Sequence, residues 1–403
     1  MKSIAFIMPS YNRANFIAES ISTIIPQMRA QDTLTVVDDG STDNTSDIIR
    51  NLEHNITFIR QENAGKSVAL NLGLAATESD YVWICDDDDL LRPNVVPMLL
   101  NQLEEQDSDL IFGRYTRFRL ENGRRVEMGT GYWPDLSKGS INRHVLEDAF
   151  IMHNATLAKR QIYQDAGLFD PKMLRSQDYD MFARLALSSR FSFLDEIIFD
   201  QRKHSGQRGP ETVTHAAGKS EQVWQKFDAM IFQKIGSAPI SFFENLFIGG
   251  SKTERLRAAR LQRACIYGRH GLWSDALVDL QAVIELGNTS KLSHLEADIC
   301  RRMMAGKHGF SGLLESPHIK TLLEVCEGSP FGSALLSELA NGVIWRLRGE
   351  DLMARRDAWC FLRMTFNFSL IGTLISRRIK NSFAHSDLNE KNLPDLMPAG
   401  QVS

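Results

Sequence analysis

Four times before residue 90, a short apolar run gives way to a polar loop and then to a stretch of helical periodicity. The runs are SIAFIM at 3–8, TLTVVDD at 33–39, NITFIRQ at 55–61 and YVWIC at 81–85. Between the first two, apolar side chains fall at Phe16, Ile17, Ile21, Ile24, Ile25 and Met28, close to a helical repeat. TDNTSDIIRNL and KSVALNLGLAA read as the next helices, and another is expected from Pro93 through Leu103. Strands this uniformly apolar are buried on both faces, which predicts an α/β fold with a mainly parallel sheet between helices. Ligands of such sheets bind beyond the carboxyl ends of the strands. The polar clusters SYNR, DDGSTD, ENAGK and DDDD occupy those positions, so four loops are expected to meet at one crevice.

Farther on, strands are expected on either side of the turn at Asn122-Gly123. QDYDMFARLALSS reads as helical, FSFLDEIIFDQRK as extended, and RKHSGQRGPETVTH at 202–215 as a mobile polar loop. From about residue 220 the pattern becomes helix after helix. The span ERLRAARLQRACIYGRHGLWSDALVDLQAVIELG resembles a tetratricopeptide-type hairpin, with Ala258, Gly271 and Ala276 suitably placed. The expected domains are 1–215 (α/β), 216–250 (a helical connection) and 251–403 (α-helical). Residues 359–380, apolar and ending SRRIK, read either as a peripheral membrane helix or as a packed core helix.

Composition narrows the function. The 403-residue chain carries a net charge of −4, with no broad basic field, so nucleic acid is not an expected partner. Five cysteines at spacings that fit no zinc site point to a reducing, cytoplasmic compartment. The first residues lack the long apolar core of a signal peptide, and no apolar run reaches membrane-spanning length.

The sharpest signal is Asp86-Asp87-Asp88-Asp89 at the end of the fourth strand. A helix cap accounts for one aspartate, not four. Like charges so close oppose folding unless a cation or donors compensate. Hard divalent ions such as Mg2+ or Mn2+ take oxygen ligands and share them with phosphate.

The series PSYNR, VVDDGSTDNT, ENAGKSVALNLGL and CDDDDLLRP resembles the family 2 glycosyltransferases of the GT-A fold, over roughly residues 3–205. That resemblance implies a metal-dependent, inverting transfer of a sugar from a nucleotide-sugar, UDP-linked, to a hydroxyl of a polysaccharide, glycolipid or related acceptor. It makes Asp86-Asp87-Asp88 the D-x-D motif, with Asp88 on the Mn2+ or Mg2+ ion and Asp86 on sugar or ribose. Asp87-Asp88 is an alternative pair, and Asp89 either orients the loop or reaches sugar hydroxyls. Pro9, Tyr11 and Arg13 fall to the nucleotide, with Tyr11 stacking on the base. Asp39 would accept from the base imide, while Asp38 positions its loop or meets ribose. Lys66 and Asn71 lie near the donor, and His204 completes the metal shell or meets diphosphate, beside Arg202 and Lys203. The family's acidic pair appears as Gln177-Asp178, which makes Asp178 the general base. Asp180 and Arg184 are spaced to pair on one helical face. Asn154 and Thr156 are acceptor-side candidates, and GLFDPKM at 167–173 resembles the segment before the base. A non-catalytic nucleotide-sugar sensor or scaffold is the alternative. A membrane-linked acceptor would place the protein at the inner face of the membrane.

Overall fold

The computed structural model describes residues 2–52, 55–204, 220–287, 291–365, 383–384 and 386–391. The chain forms two compact units. One comprises Met1–Asp135 with Ala149–Ser220, the other Leu136–Asp148 with Glu221–Asp395.

The first unit is an α/β unit. In chain order it contains β1 (Ile4–Ser10), α1 (Ile17–Ile24), β2 (Thr33–Asp38), α2 (Thr45–Arg50), β3 (Ile56–Arg60), α3 (Lys66–Ala75), β4 (Tyr81–Ile84) and β5 (Leu90–Leu91). There follow α4 (Val95–Glu105), β6 (Leu110–Glu121), β7 (Arg124–Gly129), then after a gap β8 (Thr156–Lys159), α6 (Arg160–Asp165), α7 (Gln177–Ser188) and β9 (Phe191–Arg202); α5 (Ile141–Glu147) lies between β7 and β8 in sequence. The sheet runs β3-β2-β1-β4-β8-β6-β9-β5, with β7 on β6. Strands β1 to β4 are parallel, with Ala5 opposite Thr33 and Val82. All seven residues of β1 are buried, as its unbroken apolar run demands. Helix α3 lies across β1 and β2, and Gly73 permits the close approach: a Cβ there would meet the Ile7 side chain at 2.5 Å. Because β1, β2, β3 and β4 run the same way, the loops at 11–16, 39–44, 61–65 and 85–89 leave the same edge of the sheet.

The expected strands and helices appear with small shifts. Asn94, at φ 62°, delays α4 to Val95. Strand β5 was not expected: two residues after the aspartates return to the sheet antiparallel to β9, with Leu90 opposite Asp200.

The second unit is helical: α5, α8 (Ser220–Ile235), α9 (Ile240–Glu244), α10 (Lys252–Arg269), α11 (Trp273–Glu285), α12 (His294–Met303), α13 (Ser311–Leu314), α14 (His318–Cys326), α15 (Pro330–Val343) and α16 (Leu352–Thr365), with a small pair of strands β10 (Phe247–Ile248) and β11 (Asn389–Glu390). Helices α10 and α11 form the expected hairpin; Ala258 and Ala276 are fully buried in it, and Gly271 turns the chain at φ +79°. The segment 136–148 departs from the expected boundary at 215. Its helix α5 buries Asn142 to Glu147, and its charges find partners within the helical unit. Arg143 pairs with Glu147 and Glu390 at 3.0 Å each, Gln262 donates to Glu147 at 2.8 Å, Arg302 lies 3.3 Å from Glu147, and Arg269 binds Asp148. The membrane or core helix expected at 359–380, the loop after His204 and the C-terminal residues fall largely outside the described residues.

Candidate active site

The loop after β1 is held to the loop after β2. The Asn12 amide donates to the Ser41 hydroxyl at 2.9 Å and the Thr42 amide donates to the Asn12 side chain at 2.8 Å. The Arg13 amide donates to Thr45 Oγ1 at 2.8 Å. Pro9 closes β1 opposite Val37, and Tyr11 stands on the loop with 38% of its surface exposed.

The two aspartates after β2 act on the backbone around them. Asp38 is fully buried; it accepts from the Ser41 amide at 2.9 Å, from Arg60 Nη1 at 2.9 Å and from the Ser46 hydroxyl. Of the two roles expected for it, the buried carboxylate takes that of building the loop. Asp39 accepts from the Ala64 amide at 2.8 Å, the Gly65 amide at 2.9 Å and Gln61 Nε2 at 2.6 Å. It therefore sets the ENAGK loop that leads to Lys66. A carboxylate has about four acceptor positions, so one remains for a further donor.

The four consecutive aspartates take different sets of partners, Asp87 and Asp88 sharing Arg13. Asp86 lies against Lys66 at 2.5 Å. Asp87 accepts from the Tyr11 amide at 3.3 Å and lies 3.3 Å from Arg13. Asp88 lies 3.5 Å from Arg13 and 2.8 Å from Nε2 of His204. Asp89 accepts from the Arg202 amide at 2.8 Å and from Asn154 Nδ2 at 2.7 Å. Asp89 thus ties its loop to the end of β9, while the other three face cations. Burial pushes the Asp87 carboxyl up to about 7; Arg13 pulls it down and Asp88 pushes it up again. Burial opposes charge on Lys66, yet Asp86, with Asp178 and Asp87 behind it, carries its pKa above the ordinary lysine value.

Asp178 opens α7 and remains partly exposed, accepting from the Tyr179 amide at 2.9 Å. Burial of its carboxyl raises its pKa, Lys66 lowers it and Asp86 raises it. The expected base therefore shares one electrostatic neighbourhood with Lys66 and Asp86. Asp180 and Arg184 pair at 2.8 Å, as their spacing implies, and Arg184 also binds the carbonyls of Ala166, Gly167 and Leu168.

Asn71 has a partner that its place on α3 did not announce. Its carboxamide donates to the Phe169 carbonyl and accepts from the Phe169 amide, both at 2.9 Å, so it clamps the GLFD turn. Asn154 likewise holds the acidic loop, accepting from the Asp86 amide and donating to Asp89. Two positioning groups were missed. Phe16, read as one apolar residue of a helix, is a shelf for His204 at 4.7 Å and Arg202 at 5.2 Å. Arg60, which charges the back of Asp38, carries no signal of its own in sequence.

Among the described residues, no group of three or more His, Cys, Asp or Glu side chains is arranged to hold a metal ion. Asp88 and His204 form a pair of one carboxylate and one imidazole. Such a pair fits a divalent cation that takes its remaining ligands from phosphate oxygens and water, as Mg2+ and Mn2+ do.

The carboxylates and cations gather at the carboxyl edge of the α/β sheet, the edge at which such sheets bind ligands. The sequence model of glycosyl transferase family 2 matches residues 5–166. The matched stretch falls mostly in the α/β unit, which is similar to that family over about two fifths of the chain. Glycosyltransferase GlyG of Streptococcus pneumoniae is 25% identical over 216 residues, covering 50% of this chain and 71% of that protein. An uncharacterized glycosyltransferase of Rickettsia felis is 25% identical over 229 residues, covering 56% and 38%. Chondroitin synthase of Pasteurella multocida is 27% identical over 206 residues, covering 50% and 20%. The chain thus spans well under half the length of the last two.

Proposed function

We propose that the chain transfers a sugar from a UDP-sugar to an acceptor hydroxyl, inverting the anomeric carbon. The observation that carries this reading is the meeting of Asp178 with Lys66 and Asp86, beside the Arg13, Asp87, Asp88 and His204 group. Asp178 takes the proton of the acceptor hydroxyl as its oxygen forms the new bond to the anomeric carbon. The bond from that carbon to the diphosphate oxygen breaks, and its electron pair leaves with the nucleotide. A single base on the acceptor side needs no covalent intermediate, and in-line attack inverts the centre. A raised pKa makes Asp178 a stronger base than an ordinary aspartate. Lys66 and Arg13 supply positive charge toward the departing diphosphate.

Asp88 and His204 would hold Mn2+ or Mg2+, which supplies further neutralisation of the diphosphate when bound. Tyr11 offers an open ring for base stacking, and the remaining acceptor position of Asp39 suits the imide N–H of uracil. The acceptors in view are polysaccharide, glycolipid or a related glycoconjugate.

The test is product formation from a panel of UDP- and GDP-sugars, comparing the natural chain with Asp178→Asn. The variant should keep donor affinity while turnover falls by roughly 10²–10⁴-fold. Donor binding without product from either chain would leave the sensor reading standing and end this one.

A further inference from the structure

Helix α16 has two apolar faces, and among the described residues one of them has a partner. Ala358, Phe361, Leu362 and Thr365 point into the helical unit, where Phe361 meets Phe310 edge-on at 5.8 Å. The opposite face carries Leu352 (74% exposed), Met353 (62%), Trp359 (63%) and Met364 (50%). Just before it, Trp345 stands 55% exposed, its ring 4.7 Å from the buried Arg346 guanidinium, which is itself anchored on the Met304 and Gly306 carbonyls. Ordinary surface helices do not place two tryptophans, two methionines and a leucine in water on adjoining turns.

The charges on this face have a sign. At 100° per residue, Arg355, Arg356 and Arg363 fall in the same arc as Trp359, Leu352 and Met353, and all three are exposed. Arg348 is exposed just upstream. The acids nearby are accounted for locally: Asp351 accepts from the Met353 and Ala354 amides, and Asp357 lies 3.4 Å from Arg356 at the edge of the arc. Glu350 is exposed before the helix begins. A basic face therefore sits on a chain whose net charge is −4.

We propose that this face of α16, with Trp345, docks on an anionic lipid surface. Tryptophan, methionine and leucine side chains enter the headgroup boundary of a bilayer, and arginines interleaved with them meet lipid phosphates. Protein interfaces also gather tryptophan, methionine and arginine, so the dependence of binding on anionic lipid is what separates the two occupants. Among the described residues no helix is long and apolar enough to cross a membrane, so the contact proposed is peripheral. It deepens the proposed function by favouring a lipid-linked acceptor, but it needs no donor and no turnover to be observed.

The experiment is cosedimentation of the full chain with vesicles of phosphatidylcholine alone, or with added phosphatidylglycerol. The expected result is binding that requires the anionic lipid and weakens with salt. Charge reversal in Arg355→Glu/Arg356→Glu should weaken it by roughly tenfold or more. Trp359→Ser/Met353→Ser should weaken it at every lipid composition. All four positions lie in water, so thermal unfolding and donor binding should be unchanged and report on folding. Equal, weak sedimentation with both vesicle types would overturn the proposal. So would a concentration-dependent dimer that Trp359→Ser dissolves, since the face would then belong to a second copy.

Discussion

Two clusters of charge in this protein are built from the same residue types and differ in their balance: burial lifts the Asp148 carboxyl in one as it does Asp87 and Asp178 in the other, but Glu147, at the centre of the first, goes the opposite way. In the helical unit, Glu147, Asp148 and Glu390 meet Arg143, Arg269 and Arg302. Burial would raise the Glu147 pKa, but Arg302, Arg143 and Arg269 overrule it and hold the carboxyl far below the usual range. In the α/β unit, Asp86, Asp87, Asp88 and Asp178 meet Arg13 and Lys66, and there burial wins: the Asp87 and Asp178 carboxyls are pushed up. A closed cluster in which cations match carboxylates is complete in itself. A cluster whose carboxylates outnumber its cations leaves charge for an ion or ligand to neutralise.

The largest effect should come from the open cluster. Asp88→Ala is expected to abolish cation-dependent donor binding in calorimetry with Mn2+; unchanged binding, with and without chelator, would remove Asp88 from the metal's reach. In the closed cluster, Arg269→Met should lower unfolding free energy by about 3–5 kcal/mol in urea titrations, because it leaves Asp148 buried without its cation. A loss as small as that of a surface pair would show that the helical unit does not depend on this network.

Acid sensitivity should follow from two histidines of the helical unit. Burial holds His144 down to about 4, with Arg143 adding to it, and His270, stacked on Phe232 at 3.7 Å, down to about 3, both from 6.5. The unfolded chain therefore binds protons that the folded one refuses. The stability carried by these neutral rings is full above pH 6.5 and is lost as pH falls from 6.5 toward 4, by up to about 1.4 kcal/mol per pH unit for each ring. Denaturation midpoints across that window should drop steadily, and less so in His270→Phe. The smallest effect expected is Tyr11→Ala, which should weaken donor affinity by about 1–3 kcal/mol if the ring stacks on the base.

What the sequence revealed and what it hid divide along a physical line. The strand and loop alternation was legible because each apolar run carries its own pattern, and so was the meeting of four loops, which parallel strands impose. The aspartates could be recognised as a group but not told apart. Their separate roles depend on Asn154, Arg202 and His204, which lie 65 to 116 residues farther on. The clamp that Asn71 makes was hidden for the same reason, its partner Phe169 being 98 residues away. Strand β5 is two residues long and is defined only by β9. Segment 136–148 looked like part of the domain that flanks it, since nothing in INRHVLE announces a partner in a helix 115 residues later.

That last feature has a consequence for synthesis. When α5 leaves the ribosome, Gln262 and Arg269, which hold Glu147, have yet to be translated, 115 and 122 residues downstream. At ordinary elongation rates the segment waits on the order of ten seconds for them. During that wait an α/β unit otherwise ready to close carries an unsatisfied helix in its middle. The nascent chain therefore offers chaperones a defined client, and a ribosome stalled before codon 262 should yield a protease-sensitive cut near Arg143.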